Sequence, residues 1–159
     1  MFTTAGLKLF HARTHSSLDV LLTHLCSMHA DLLFAELSGF ARPNVRDQMF
    51  HIIANEIFWV HGLQLLPMPR LSADDYNTGE ALAELKRRAM AETLEYLDRL
   101  SEPELNQDLL RVPESWVGPP RSPAFILHHV LTHAFHHKGQ VVAMCRLLGH
   151  PAPDTDYQR

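Results

Sequence analysis

The chain has 159 residues, and 46% of them are hydrophobic, which is enough for one folded domain with a sizeable core. Its formal charge of -4 argues against general nucleic-acid binding, because proteins that neutralise a phosphate backbone carry an excess of Lys and Arg. No window approaches the roughly 20 apolar residues of a membrane-spanning helix, and the N-terminus lacks the pattern of a signal peptide. We therefore expect a single cytoplasmic domain over residues 1–159, with no nucleic-acid or membrane partner.

The first predicted helix runs from about Leu7 to Met28, because apolar residues recur there at spacings of three and four. The same pattern allows a continuation to Leu37. Gly39 and Pro43 then interrupt it, and with Arg42 between them they predict a loop.

The second predicted helix covers about 45–64. Asn44 followed by Asp47 resembles a capping box, in which each side chain satisfies an exposed amide of the other residue. Pro67 and Pro69 prevent the helix from continuing, since proline has no amide donor and crowds the preceding turn. The segment after position 64 is therefore expected to be a loop.

A third helix is predicted from about Thr78 to Leu100. Its inward face is expected to carry Leu82, Leu85, Leu94 and Leu97, and its wet face Glu84, Lys86, Arg87, Arg88 and Glu92. The proline-rich connection that follows is too long for a usual helix link, and it must cross the bundle or cover one end. Ser122 as N-cap with Pro123 in the first turn then predicts a fourth helix that stops near Gly149.

Four helices without any strand-like alternation predict an all-α four-helix bundle with a long connection before the last helix. The length of that connection means that the topology need not be simple up-down-up-down. Cys26 and Cys145 form no CxxC pair, which is typical of a reducing compartment, and we expect each to be a small buried apolar residue.

The strongest chemical signal is a group of histidines in the last predicted helix. The chain has twelve histidines, and five of them fall within ten residues, at positions 128, 129, 133, 136 and 137. Residues four apart share a helix face, so His129, His133 and His137 form one stripe. The HxxxH spacing of His133 and His137 allows two imidazoles to bind one metal ion.

A third ligand is expected from another helix, and His51 is the best candidate because it lies inside the apolar run of the second helix. Imidazole ligands suit zinc, nickel, copper or ferrous iron. Three protein ligands leave open positions for water or substrate, which is typical of a catalytic site rather than a closed structural one. The sequence therefore predicts one divalent ion bound by three histidines.

Other polar residues have alternative roles. His129 could orient a ligand or face the mouth of the pocket, and Gln140 could line the pocket or form an interhelical hydrogen bond. Glu56 lies about 140° around the helix from His51, which favours a structural contact over a general base. The remaining histidines are expected on the surface or as hydrogen-bonded core residues: His11, His15, His24, His29, His61 and His150, with His128 and His136 off the stripe.

Two segments resemble those of the DinB family of metal-binding helical bundles. LTHAFHHKGQVVAMCRLLGHPAPDTDY resembles the family's C-terminal signature, and NVRDQMFHIIANEIFWVHGL resembles its second helix, where a His is followed by a Glu and a Trp. The resemblance implies a four-helix bundle with metal ligands at His51, His133 and His137, the same three residues. Lys138 stands where the family more usually has arginine, and Thr132 where asparagine is frequent.

The resemblance also implies an activity. Relatives include metal- and thiol-dependent transferases and isomerases, whose ion binds a small thiol such as mycothiol or bacillithiol and lowers its pKa. It therefore implies a divalent ion, zinc or nickel with iron as an alternative, a low-molecular-weight thiol, and transfer to a small electrophilic substrate.

A metal-dependent hydrolase, a non-catalytic metal-binding stress-response module and a plain interaction domain are the alternatives. Similar bundles are commonly homodimers, so we expect a homodimer, with a pocket lined by residues around Leu71 and Trp116.

Overall fold

The computed structural model describes residues 1–111 and 121–156, and every long element in them is helical. In chain order the helices are α1 (Thr4–Ser27), α2 (Ala30–Phe34), α3 (Val45–Leu63), α4 (Gly79–Arg99), α5 (Glu102–Asn106) and α6 (Pro123–Leu147), with a 3-10 turn at Ala73–Asp75. The predicted all-α bundle is confirmed, since the described part of the chain contains no strand. No helix of that part is long and apolar enough to span a membrane.

Helices α1, α4, α3 and α6 follow one another around the bundle. The consecutive long helices α4 and α6 are therefore diagonal to each other. Helix α5 lies between them in the chain and packs on α6. The prediction for Trp116 lies outside the described residues, whereas Leu71 is half-buried against the core.

The core consists of two apolar clusters. The larger one contains Leu18, Leu21, Leu25, Met49, Ile53, Ile57, Leu82, Leu85, Met144 and Cys145. The smaller one contains Leu7, Val60, Leu63, Tyr96, Leu97, Leu105, Ile126 and Leu127. Both clusters include residues of α3, so this helix is held along its length and can position polar side chains with little freedom.

Local capping explains why the bounds of the long helices agree closely with prediction. The side chains of Thr78 and Ser122 accept hydrogen bonds from the amides of Ala81 and Phe125, at 3.1 and 3.3 Å. Asn44 caps α3 through the amide of Asp47 at 2.8 Å. The return bond differs from a capping box, because the side-chain amide of Asn44, not its backbone, donates to the Asp47 carboxylate at 2.9 Å.

The first helix does not continue to Leu37. Helix α1 ends at Ser27 because Met28 is extended, with φ -80° and ψ 152°, and the short α2 begins only at Ala30. Helix α5 was not predicted, although Ser101 and Glu104 form a reciprocal capping box that starts it.

Two predictions of burial on single residues were wrong. Cys26 is exposed, whereas Cys145 is buried as expected. Lys86 was placed on the wet face of its helix, but it is buried, and its ammonium group forms an ion pair with Asp19 at 2.7 Å. Leu94 is only half-buried.

Candidate metal centre

Three histidines from two neighbouring helices meet at one point: His51 of α3, and His133 and His137 of α6. One ring nitrogen of each lies within 4.8 Å of the others, and all three side chains are half-buried. Nε2 of His51 is 3.2 Å from Nε2 of His133. The ring centre of His137 lies 4.6 Å from that of His51 and 4.3 Å from that of His133. We call these residues the histidine triad.

The imidazoles of the triad are neutral at physiological pH. Burial, the charge of Arg42 and the neighbouring His137 lower the pKa of His51 to about 4. Burial and the neighbouring imidazoles lower the pKa of His133 to about 4 as well. Burial, His136 and Arg42 lower the pKa of His137. Neutral rings retain the lone pair that a metal ligand needs.

Side chains on the outer edges of the rings hold the triad in place. The Arg42 guanidinium donates to Nδ1 of His51 at 2.7 Å. Nδ1 of His137 lies 2.8 Å from the side-chain amide of the fully buried Gln48. Each of these contacts engages Nδ1 and limits the rotation of its ring.

The geometry of the triad fits a divalent ion. Two nitrogens that each lie about 2.0–2.1 Å from a tetrahedral zinc are roughly 3.3 Å apart. The observed separation of 3.2 Å between Nε2 of His51 and Nε2 of His133 matches that spacing. Gln48 supports the fit, because its amide oxygen has no partner among the described residues, and rotation of the amide would let this oxygen accept from Nδ1–H of His137.

His129 and Gln140, the two predicted pocket residues, have clear positions. His129 is exposed one turn before His133, and its ring lies edge-on to Trp59 with centres 5.7 Å apart. Gln140 accepts from Gln48 and donates to His136, the latter at 2.9 Å. It therefore forms the interhelical hydrogen bond that was the alternative to a pocket role, and it reaches the triad only through Gln48.

An open cleft of about 590 Å³ borders the triad at His51. It follows one face of α3, where Phe50, Ala54 and Phe58 line it, and Arg42 and Pro43 form the opposite wall. The cleft was not predicted as such. Arg42 lies in a loop nine residues before His51, and no periodicity indicates that the two side chains meet.

A second polar cluster lies inside the bundle, around the carboxylate of Glu56. This carboxylate accepts hydrogen bonds from Nε2 of His11 at 2.8 Å, from Nε2 of His15 at 3.0 Å and from the Thr93 hydroxyl at 2.6 Å. Burial raises the pKa of Glu56, but the charge of His15 and the hydrogen bonds from both histidines outweigh it and hold the pKa well below its usual value. We call these four residues the Glu56 network.

The Glu56 network also has the donor types of a metal site, but it fits a hydrogen-bonded core better. Nδ1 of His11 and Nδ1 of His15 are buried without a partner in the described part of the chain, whereas metal ligands normally donate their second N–H. A divalent ion with one carboxylate would also leave net charge in a dry interior. The predicted structural role of Glu56 agrees with this arrangement. The signal overlooked was the HxxxH spacing of His11 and His15, the same as in the last helix.

Lys138 lies beside the triad in sequence but points elsewhere. Its buried ammonium group donates to the hydroxyl of Ser17 at 2.9 Å and to the carbonyl oxygen of Thr155 at 2.6 Å, and it lies 4.6 Å from the ring centre of Phe135. Burial lowers the pKa of Lys138. The residue therefore fastens the segment after α6 to α1.

The whole chain matches one family of known proteins. A model described as the DinB family matches residues 1–159. The chain is 30% identical over 119 residues to the uncharacterized protein YizA of Bacillus subtilis (strain 168), and the match covers 74% of this chain and 72% of YizA. A crystal structure of a conserved protein from Enterococcus faecalis aligns with a TM-score of 0.68 and 19% identity, covering 93% of this chain and 98% of that one. At such low identity the structural likeness shows a shared fold.

Proposed function

The chain belongs to the DinB family. On that premise we propose that the protein binds one divalent ion through His51, His133 and His137, and that it is an enzyme whose reaction depends on this ion. The reaction we propose is the transfer of a low-molecular-weight thiol to a small electrophile. Zinc and nickel are the ions proposed first, with iron as an alternative, since imidazole suits all three.

The observation that carries this proposal is the convergence of three neutral imidazoles at a half-exposed position. Three ligands would leave room for a further ligand from solvent, and the adjoining cleft gives a small molecule access to His51. Neither cysteine lines the cleft, so a thiol nucleophile would have to come from a bound small molecule.

The triad, Gln48 and the wall of the cleft each have a defined role in this proposal. A divalent ion bound by the triad would lower the pKa of a small thiol or of water and so supply the nucleophile. Gln48 would orient His137, and the packing of α3 against α6 would fix the separation of His51 from the other two ligands. The apolar wall of the cleft would contact the apolar part of the electrophile.

Metal content is the first test. Tag-free protein, purified without added metal, should contain close to one equivalent of zinc, nickel or iron by elemental analysis, and the double variant His133→Ala, His137→Ala should contain almost none. His128→Ala is the matched control, because this exposed histidine lies on the same helix but off the stripe, and it should retain the metal. Equal and negligible metal in parent and double variant would contradict the metal site.

Turnover is tested separately. Metal-loaded protein should accelerate the reaction of bacillithiol or mycothiol with an electrophile such as monochlorobimane, and the double variant should not. Full metal occupancy without acceleration of any thiol or ester reaction would leave the metal site intact and instead support a non-catalytic metal-binding module. Ester cleavage without thiol transfer would favour the hydrolase.

A further inference from the structure

The cleft beside His51 combines one cationic side chain with an apolar wall. Phe50 and Phe58 stand eight residues apart on α3, roughly 12 Å along the helix axis, and His51 lies between them. Phe58 is 37% exposed, so its ring offers apolar surface to a molecule in the cleft. The opposite wall contains the guanidinium of Arg42. A cleft with this lining suits a ligand that has an apolar body and a negative group.

The hydrogen bond that Arg42 donates to His51 depends on which ring nitrogen of His51 carries the proton. A guanidinium can only donate, so Nδ1 of His51, 2.7 Å away, must be the unprotonated ring nitrogen. The single proton of the neutral ring is then on Nε2, and it bridges to Nε2 of His133 at 3.2 Å. This arrangement accounts for both contacts without any charge on the ring.

Metal binding is incompatible with that arrangement. If Nε2 of His51 gives its lone pair to an ion, the proton of the neutral ring must be on Nδ1, where it points at the donors of Arg42. The ring keeps its net charge, but the guanidinium loses its acceptor. It then needs a new partner, and the adjacent cleft is the space into which it can turn.

We propose that the cleft binds a small carboxylate with an aromatic or other apolar body, that Arg42 binds its carboxylate group, and that metal binding by His51 releases Arg42 for this contact. The planar guanidinium matches a carboxylate in a bidentate pair. This inference rests on the proposed metal site and adds to it the class of ligand and a favourable coupling between binding of the ion and binding of the anion.

The other charges around the cleft are compatible with an anion. Asp47 also lines the cleft, but its carboxylate accepts from the side chain of Asn44 at 2.9 Å and pairs with Arg46 at 2.9 Å. Its negative charge is therefore largely compensated. A divalent ion on the triad would make the region around Arg42 more positive still and favour a carboxylate further.

The test measures binding, not turnover. Zinc affinity is first determined by competition with a chelator, and benzoate is then titrated by calorimetry into metal-free and zinc-loaded protein. Zinc loading should strengthen benzoate binding about tenfold or more, and benzoate should raise zinc affinity by the same factor, because the coupling is reciprocal. Benzyl alcohol, which has the ring without the charge, should show no such gain.

Variants separate Arg42 from direct binding of benzoate to zinc. Arg42→Ala should lose the zinc-dependent gain and should bind zinc several-fold more tightly than the parent, since no guanidinium has to be displaced. Arg42→Lys should keep part of the gain, and Arg87→Ala, an exposed arginine on α4, should behave as the parent. These four proteins should melt at similar temperatures.

Three results would overturn the inference. An Arg42→Ala variant that keeps the zinc-dependent gain would mean that benzoate binds the ion directly. If the parent binds benzoate equally well with and without zinc, metal binding does not release Arg42 for the carboxylate. A parent that binds no zinc in the first step would overturn the proposed metal site, and with it this inference, so the two failures are distinguishable.

Discussion

Two of the histidine pairs with the spacing HxxxH meet different neighbours. His11 and His15 of α1 face the carboxylate of Glu56, which takes a hydrogen bond from each ring. His133 and His137 of α6 face another imidazole, and no carboxylate belongs to that group among the described residues. The partner residue therefore decides whether a pair of this kind is satisfied as it stands or retains lone pairs for a ligand.

The Glu56 network predicts a characteristic pH dependence of stability. The folded-state pKa of Glu56 is depressed, so its contribution is present above the unfolded value near 4.5 and is lost as the pH falls through the folded value. Burial also lowers the pKa of His15 below 6.5, so protonation of this ring favours the unfolded state below that pH. The free energy of unfolding should decline from about pH 6.5 downwards and more steeply below pH 4.5.

Urea denaturation between pH 8 and pH 3 measures this decline. Glu56→Gln should be destabilised by about 1–3 kcal/mol at neutral pH, because it removes the charged acceptor of three buried hydrogen bonds. The unfolding free energy of this variant should also lack the steeper decline below pH 4.5. Parallel curves for parent and variant would show that the acid sensitivity comes from other carboxyl groups, for which Asp98→Asn on the surface is the comparison.

At the scale of the helix, the close approach of α1 and α4 depends on one glycine. A Cβ atom on Gly79 would lie 2.7 Å from Sγ of Cys26 and 3.0 Å from its backbone nitrogen. Gly79→Ala should therefore cost about 1–3 kcal/mol in unfolding free energy. Gly139→Ala on α6 is the matched control, since nothing lies within 4 Å of the added atom, and it should stabilise by about 0.5–1 kcal/mol.

The segment after α6 is the second element with a specific attachment. Lys138→Met would remove both hydrogen bonds that join Ser17 and Thr155 to the ammonium group, so the segment should be cleaved faster in limited proteolysis. Lys138→Arg should retain the attachment, because arginine also donates to several acceptors. Lys8→Met, which removes a more exposed lysine from α1, serves as control and should leave the cleavage rate unchanged.

The sequence predicted the long helices well and their interruptions less well. The starts of α3, α4 and α6 were placed correctly, because Asn44, Thr78 and Ser122 cap their helices through local hydrogen bonds. The predicted end of α1 near Met28 was also correct, but its continuation to Leu37 was wrong, because Leu32 and Leu33 continue the apolar spacing although the backbone at Met28 is extended. The spacing of apolar residues shows which face of a helix packs against the core. It does not detect an interruption of the helix after which the same face still points to the core.

The candidate site was predictable only in part for a similar reason. The stripe on α6 and the apolar surroundings of His51 are properties of single helices, and they suffice to bring the three histidines into consideration together. The contacts of Arg42, Gln48 and Lys138 depend on how segments distant in sequence pack, which no spacing along one helix encodes.

At the scale of the whole molecule, metal binding should stabilise the fold. A ligand that binds only the folded state stabilises it by about 2.7 kcal/mol at 100 times its dissociation constant. Zinc should therefore raise the melting temperature of the parent by several degrees and leave the His133→Ala, His137→Ala variant unchanged. Equal shifts in both proteins would indicate that zinc binds elsewhere, the Glu56 network included.

The homodimer remains a prediction at this scale. The bundle exposes several large apolar side chains, among them Phe34, Phe58, Leu66, Met68 and Phe125. Sedimentation equilibrium should give a mass of about twice 18.1 kDa if a pair of chains covers part of this surface. A mass of a single chain at micromolar concentration would contradict the prediction.

Helix α3 carries His51 toward the cleft and Glu56 toward the interior, five residues apart on different faces of one rod. Genetic selection should consequently separate the histidines of this protein into two classes, those needed for folding and those needed for metal binding. A library scored by cellular abundance under metal limitation should reject substitutions at His11, His15 and Glu56 yet accept them at the half-exposed triad, since no bound ion then stabilises the parent. A library scored by metal-dependent fitness should reject both classes, and the difference between the two maps would outline the working surface of the molecule without any knowledge of its substrate.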